Sequence, residues 1–205
     1  MKIEIKKSRS LVDYFDAIKY LEKRVEKVIK GEKPELLWIL EHKPIFTGGT
    51  SYKKKEILNK KINITKTSRG GKITYHGPGQ KVVYFVLNLN KREKDIRLFI
   101  NQIENCIIDI LKKAKIESFR DNKNIGIWVN TDNNIKKVAA IGIRVKRWIA
   151  YHGFCINISN DLKEYKKIVP CGIYDKEVTN LVSVKRKNYK DINRYIIESF
   201  LEVFM

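Results

Sequence analysis

Between Ser68 and Gln80 the chain reads Ser-Arg-Gly-Gly-Lys-Ile-Thr-Tyr-His-Gly-Pro-Gly-Gln, and no other run sets so much backbone freedom beside so few polar side chains. Gly70 and Gly71 let a ligand or a second chain segment lie directly against the main chain. Gly77-Pro78-Gly79 is a turn, so the stretch is predicted to run loop, strand, loop. Arg69 supplies a fixed charge at one end, and Tyr75 and His76 supply hydrogen-bonding tips at the other. The run that follows, residues 82–87, is too apolar for a half-exposed edge and is predicted to be a central strand. Taken alone, the pattern fits a glycine-rich hairpin as well as a ligand site.

The remaining chain mixes helical and extended periods. Residues 10–30 are predicted as a helix capped by Ser10, with Leu11, Phe15, Ile18, Leu21, Val25, Val28 and Ile29 as its apolar stripe and Gly31 and Pro34 as its stop. Residues 36–40 form an unbroken apolar run, hence a buried strand, and residues 46–51 read as a small-residue loop. Residues 53–61 are strongly basic and read as an exposed short helix or loop, followed by a strand over 62–66. Asp95 can cap a second long helix to about Lys113, whose inward face holds Phe99, Ile103, Cys106, Ile107, Ile110 and Leu111. Residues 125–129 read as a strand, 131–134 as a tight turn, and 136–158 as two or three antiparallel strands. A short helix over 161–167, an irregular segment over 169–173 and an amphipathic helix over 189–204 complete the chain. With no repeat and no linker, the expectation is one α+β domain over residues 1–205, built on a largely antiparallel mixed sheet flanked by helices.

Composition narrows the function classes. At 205 residues with 43% apolar residues, the chain can bury a proper core. It shows no secretory signal and no stretch near the ~18 apolar residues of a membrane span, so a cytoplasmic protein is expected. Lys and Arg number 43 against 23 Asp and Glu, a net charge of +20 that recruits anions unless the lysines are merely a solvated surface. A nucleic-acid-binding module would interleave aromatic and basic residues on one face, and no such motif is recognisable. Cys106, Cys155 and Cys171 lack CxxC spacing, and His42, His76 and His152 are scattered, so neither a disulfide framework nor a metal site is expected. Phosphate loops and dinucleotide fingerprints are missing too, and no cofactor is expected.

Chemistry concentrates elsewhere. Cys106 falls on a helical stripe, but Cys171 lies between Pro170 and Gly172, which would hold its thiol on a fixed, open loop. A free thiol near pKa ~8.5 is only a few per cent thiolate at neutral pH, so a nucleophilic cysteine needs a cationic neighbour. Lys137, His76 and His152 are the candidates. Lys137 precedes Val138-Ala139-Ala140-Ile141-Gly142, where small residues permit close packing on a strand. Lys137 on its own also fits a solvated strand end, and His152 a satisfied core histidine.

Four segments together resemble the lipoyl(octanoyl) transferase family: residues 69–80, 137–142, 151–154 and 170–173. The 41–51 loop, the 125–129 strand and Val178-Thr179-Asn180-Leu181 are similar as well, and the likeness covers about residues 10–185. It implies the catalytic fold of biotin and lipoate protein ligases. It implies transfer of an octanoyl group, without ATP, from octanoyl-acyl carrier protein to a lysine of a lipoyl domain, as found in 2-oxoacid dehydrogenase E2 subunits and glycine cleavage H protein. The acyl-thioester nucleophile is implied at Cys171 and the cation that favours its thiolate at Lys137. Substrate contacts carry over to Arg69, Gly70, Gly71, Lys72, Ile73, Thr74, Tyr75 and His76, to Ala140, Ile141 and Gly142, and to Gly153, Phe154 and Cys155. Backbone N–H groups near Cys171 and Gly172 are candidates for holding an oxyanion. The sequence departs from the family at Cys155, where a small apolar residue such as alanine is usual, and at Lys43, where proline is usual.

Overall fold

A computed structural model describes residues 2–121, 124–131, 134–173 and 177–205. In chain order these form β1 (Ile3–Lys7), α1 (Tyr14–Ile29), β2 (Glu35–Leu40), β3 (Ile45–Gly48), β4 (Ile64–Lys66), β5 (Ile73–His76) and β6 (Gln80–Asn88). They continue with α2 (Ile96–Lys113), β7 (Phe119–Arg120), β8 (Ile127–Asn130), β9 (Ile135–Lys146), β10 (Ile149–Asn157), β11 (Glu177–Val178), α3 (Leu181–Val184) and α4 (Ile192–Phe204). The large sheet runs β1-β2-β6-β10-β9-β8-β7, with β11 also paired to β9. Only β1 with β2 and β11 with β9 are parallel, so the sheet is mixed but largely antiparallel, as expected.

The unbroken apolar runs explain the layers. Every residue of β2 and of β10 is buried, so both faces of the sheet must be covered. On one face α2 and α4 pack Phe99, Ile103, Ile107 and Phe200 against Leu37, Phe85 and Phe154. On the other, α1 lays Leu21, Val25 and Val28 against Trp38, Tyr84 and Tyr151. A second sheet, β4-β3-β5, has its own apolar cluster of Ile73, Tyr75, Tyr165 and Ile168. The sequence pattern did not separate this small sheet from the large one.

Several boundaries move for identifiable reasons. The first helix starts at Tyr14, not near Ser10, because Val12 is held extended in a bridge to His42 and Asp13 caps the helix, accepting from the N–H groups of Phe15 and Asp16. Leu11 and Phe15 are consequently exposed, while Arg24 joins the buried stripe through a bidentate pair with Glu4 at 2.9 and 3.0 Å. The second helix is as predicted, capped by Asp95 with its six expected core residues buried. Residues 136–158 form two strands, not three, joined at Arg147 and Trp148, both left-handed (φ 48° and 59°) as a tight two-residue hairpin requires. Of the turn expected over 131–134, Asp132 and Asn133 lie outside the described residues; Thr131 N–H donates to Asn134 O at 2.9 Å. No helix among the described residues is long and apolar enough to cross a membrane.

Candidate active site

Between the small sheet and the middle of β9 and β10 lies a cavity of about 500 Å³. Strand alternation decides which residues of the glycine-rich segment reach it. Lys72, Thr74 and His76 of the β5 segment line the cavity, together with Arg69, Gly70 and Gly71. Ile73 and Tyr75, expected to contact substrate with them, point the other way into the small sheet's apolar cluster. Neither is among the residues that line the cavity. From the large sheet come Ala140, Ile141 and Gly142 of β9 and Gly153, Phe154 and Cys155 of β10, all of them expected. Tyr84, Ile100, Ile125 and Ile143 also line it and went unnoticed as site residues, since single apolar residues of strands and helices carry no motif.

Cys171 and Lys137 line this one cavity from different elements. Cys171 is half-buried, at the centre of a short 3₁₀ turn, Pro170–Gly172. Its backbone is left-handed (φ 55°, ψ 15°), a conformation that costs a non-glycine residue about 1 kcal/mol or more and recurs at functional sites. Gly172 follows at φ 65°, and a side chain there would collide with Lys72 and Glu56, which pair at 3.5 Å. The Gly172 N–H, expected to face an oxyanion, instead closes the turn by donating to Val169 O at 3.0 Å.

Lys137 is no solvated strand end. It is 5% exposed and forms no ion pair among the described residues. Its Nζ sits 5.2 Å from the Trp128 ring centroid, and its Cε lies where a Cβ at Gly126 would be. The short parallel strand β11 fixes its backbone, with Thr179 N–H donating to Lys137 O at 2.8 Å. Asn157 Nδ2 holds Thr179 O at 3.0 Å, and Asn157 Oδ1 accepts from Gln80 Nε2 at 2.9 Å. The Thr179 segment noted in the sequence therefore serves to clamp the lysine strand.

The closed side of the cavity is polar and aromatic. Gln80 Nε2 donates to Asn157 Oδ1 and Tyr165 Oη at 2.9 Å, and Gln80 Oε1 lies 2.6 Å from His76 Nδ1; an amide oxygen only accepts, so His76 donates from Nδ1. Burial first, then the nearby His42 and Arg69, lowers His76 to about 3. His152 is 1% exposed, and neither ring nitrogen has a hydrogen-bond partner among the described residues, so it is a core histidine but not a satisfied one. Burial, with Arg69 and Arg144 nearby, lowers it to about 3. Arg69 is itself buried and donates to Gly70 O and to the carbonyl and hydroxyl of Thr47. Burial pushes the Cys155 thiol up to about 12, and Cys171, Arg69 and Lys137 all lie within electrostatic reach of it.

The cavity is thus walled by two sheets and lined by a thiol on a fixed turn and a buried amine. A solved bipartite lipoate protein ligase from Thermoplasma acidophilum, 12% identical, superposes with a TM-score of 0.75 over 99% of this chain and 84% of its own. The family model for the lipoyl protein ligase A/B catalytic domain matches residues 13–201. The octanoyltransferase of Anaplasma phagocytophilum is 41% identical over 100% of both chains. That of a Wolbachia endosymbiont of Brugia malayi is 40% identical over 96% of this chain and 97% of its own. The chain belongs to the lipoyl protein ligase A/B catalytic-domain family, and within it to the lipoyl(octanoyl) transferases.

Proposed function

We propose that this enzyme moves an octanoyl group from octanoyl-acyl carrier protein to a lysine of a lipoyl domain through a thioester on Cys171, without ATP. The observation that carries this reading is that a half-buried thiol and a buried amine with no carboxylate partner among the described residues line one cavity. In the first step the Cys171 sulfur attacks the donor thioester carbonyl and the carrier thiol leaves with the proton. One thioester replaces another, so little free energy is needed. In the second step a lipoyl-domain lysine attacks the Cys171 thioester, forming an amide and releasing the thiol. A lysine amine near pKa ~10.4 is almost wholly protonated at pH 7, so this step needs a base. Lys137 supports both steps: as ammonium it favours the Cys171 thiolate, and as free amine it accepts the proton of the incoming lysine. With the Gly172 N–H engaged, the Cys171 N–H remains as the candidate oxyanion donor from that turn. Each buried CH₂ of the acyl chain contributes about 0.8 kcal/mol, so the walls supplied by Ala140, Ile141, Gly142, Phe154 and Cys155 bind the chain and read its length.

Intact-mass analysis after mixing with octanoyl-acyl carrier protein tests the intermediate. One octanoyl adduct, removed by hydroxylamine and missing from a Cys171→Ala variant, is expected. An adduct that survives in Cys171→Ala would place the chemistry elsewhere.

A further inference from the structure

The +20 charge of the chain is not evenly placed around the cavity. Residues 53–61 read Lys-Lys-Lys-Glu-Ile-Leu-Asn-Lys-Lys, and all five lysines are exposed. Their one acidic neighbour in the segment, Glu56, is buried and pairs with Lys72. The segment is bolted to the chain just before the Cys171 turn. Ile57 bridges Ile168, Val169 N–H donates to Glu56 O at 2.7 Å, and the N–H groups of Leu58 and Asn59 both donate to Lys167 O at 3.0 Å. From the other side of this seam Lys163 and Lys166 add two exposed ammonium groups, while Lys167 pairs with Glu164. None of the seven exposed lysines has an ion-pair partner among the described residues, and Asp161 is the one unpaired carboxylate beside them. Leu58 is 59% exposed in their midst. Three residue steps take the chain from Ile168 to Cys171, a reach of at most about 11 Å.

We propose that this lysine-rich platform, with Leu58 as its apolar anchor, docks the acidic carrier protein that delivers the acyl thioester. The inference rests on the transfer reading above and adds to it the surface and the half-reaction it serves. Clustered unpaired charges on a surface steer an oppositely charged partner and orient it. The platform adjoins the Cys171 turn, with Glu56 beside Gly172 and its carbonyl holding the Val169 N–H. A donor that carries its thioester on a long flexible arm can sit there and still reach the sulfur. An acceptor must instead bring a lysine on its own surface into the cavity mouth itself.

Changing Lys54, Lys55, Lys60 and Lys61 to Glu tests this in the full chain. Acylation of Cys171 by octanoyl-acyl carrier protein at low salt should slow at least tenfold and lose most of its salt dependence. Acylation by octanoyl-N-acetylcysteamine, a small thioester with no carrier, should stay within twofold, which also shows that the variant is folded. The same charge change at Lys112, Lys185, Arg186 and Lys190, around the α2 and α4 layer, should leave both rates within twofold. Equal loss with both donors, unchanged carrier-dependent acylation, or loss confined to transfer onto the lipoyl domain would each overturn the platform. Titration of the unacylated carrier against wild-type protein and platform variant gives a readout without transfer: binding should weaken at least tenfold, and undiminished binding overturns the proposal. Failure of wild-type protein to be acylated by either donor would instead count against the transfer reading.

Discussion

At the scale of single residues, the site was legible where chemistry and backbone constraint coincide. Cys171 stood out because Pro170 and Gly172 flank it, and the left-handed turn found there is what such flanks permit. Lys137 was legible only through the family likeness, since no local pattern distinguishes a buried lysine from a solvated one. Its surroundings, Trp128 on one side and Gly126 at φ 120° on the other, come from a neighbouring strand that no spacing rule links to it. That Ile73 and Tyr75 pack into the small sheet's apolar cluster was not legible, because a contiguous motif hides the alternation of the strand that carries it. If Lys137 handles protons in both steps, Lys137→Met, which keeps the bulk and removes the amine, should slow turnover by roughly 10²–10⁴-fold with the fold intact. Single-turnover kinetics alongside circular dichroism check it, and a loss below threefold would remove Lys137 from the chemistry.

At the scale of elements, long periodic stretches and strong caps were legible, and short pieces were not. The second helix was read correctly from Asp95 to Lys113 because cap and stripe agree. β1 was missed because five residues, three of them charged, form an edge that reads like any exposed segment. β3 was hidden in a loop of small residues, and its pairing with β5 is set by tertiary contact. β10 illustrates a double requirement. Gly153 lines the cavity, yet a Cβ there would run into the Val83 carbonyl of β6, so this glycine also keeps two central strands together. Gly153→Ala should therefore destabilise the protein by about 1–3 kcal/mol in denaturant unfolding, whether or not ligand is present. An unchanged midpoint would show that β6 and β10 can part without cost.

At the scale of the whole molecule, two sheets and three long helices place a cavity where their edges meet, and its polar end has a consequence for stability. His76 and His152, ordinarily near 6.5, are each held at about 3 in the folded protein. The unfolded chain takes up both protons near 6.5 and the folded one does not. Their contribution to stability is thus complete above pH 6.5 and is lost as pH falls from there toward 3, by up to about 1.4 kcal/mol per pH unit for each histidine. Denaturant unfolding at a series of pH values between 7.5 and 4.5 should show that slope, and a flat profile would mean the rings are hydrated. In the proposed transfer one sulfur carries the acyl group between two proteins. The direct measurement is to load the enzyme with octanoyl, remove the donor, add unmodified lipoyl domain in nucleotide-free buffer and weigh both proteins. The expected result is loss of the adduct from Cys171 matched by its appearance on the domain; a stable adduct, or transfer that begins only when ATP is added, would contradict it.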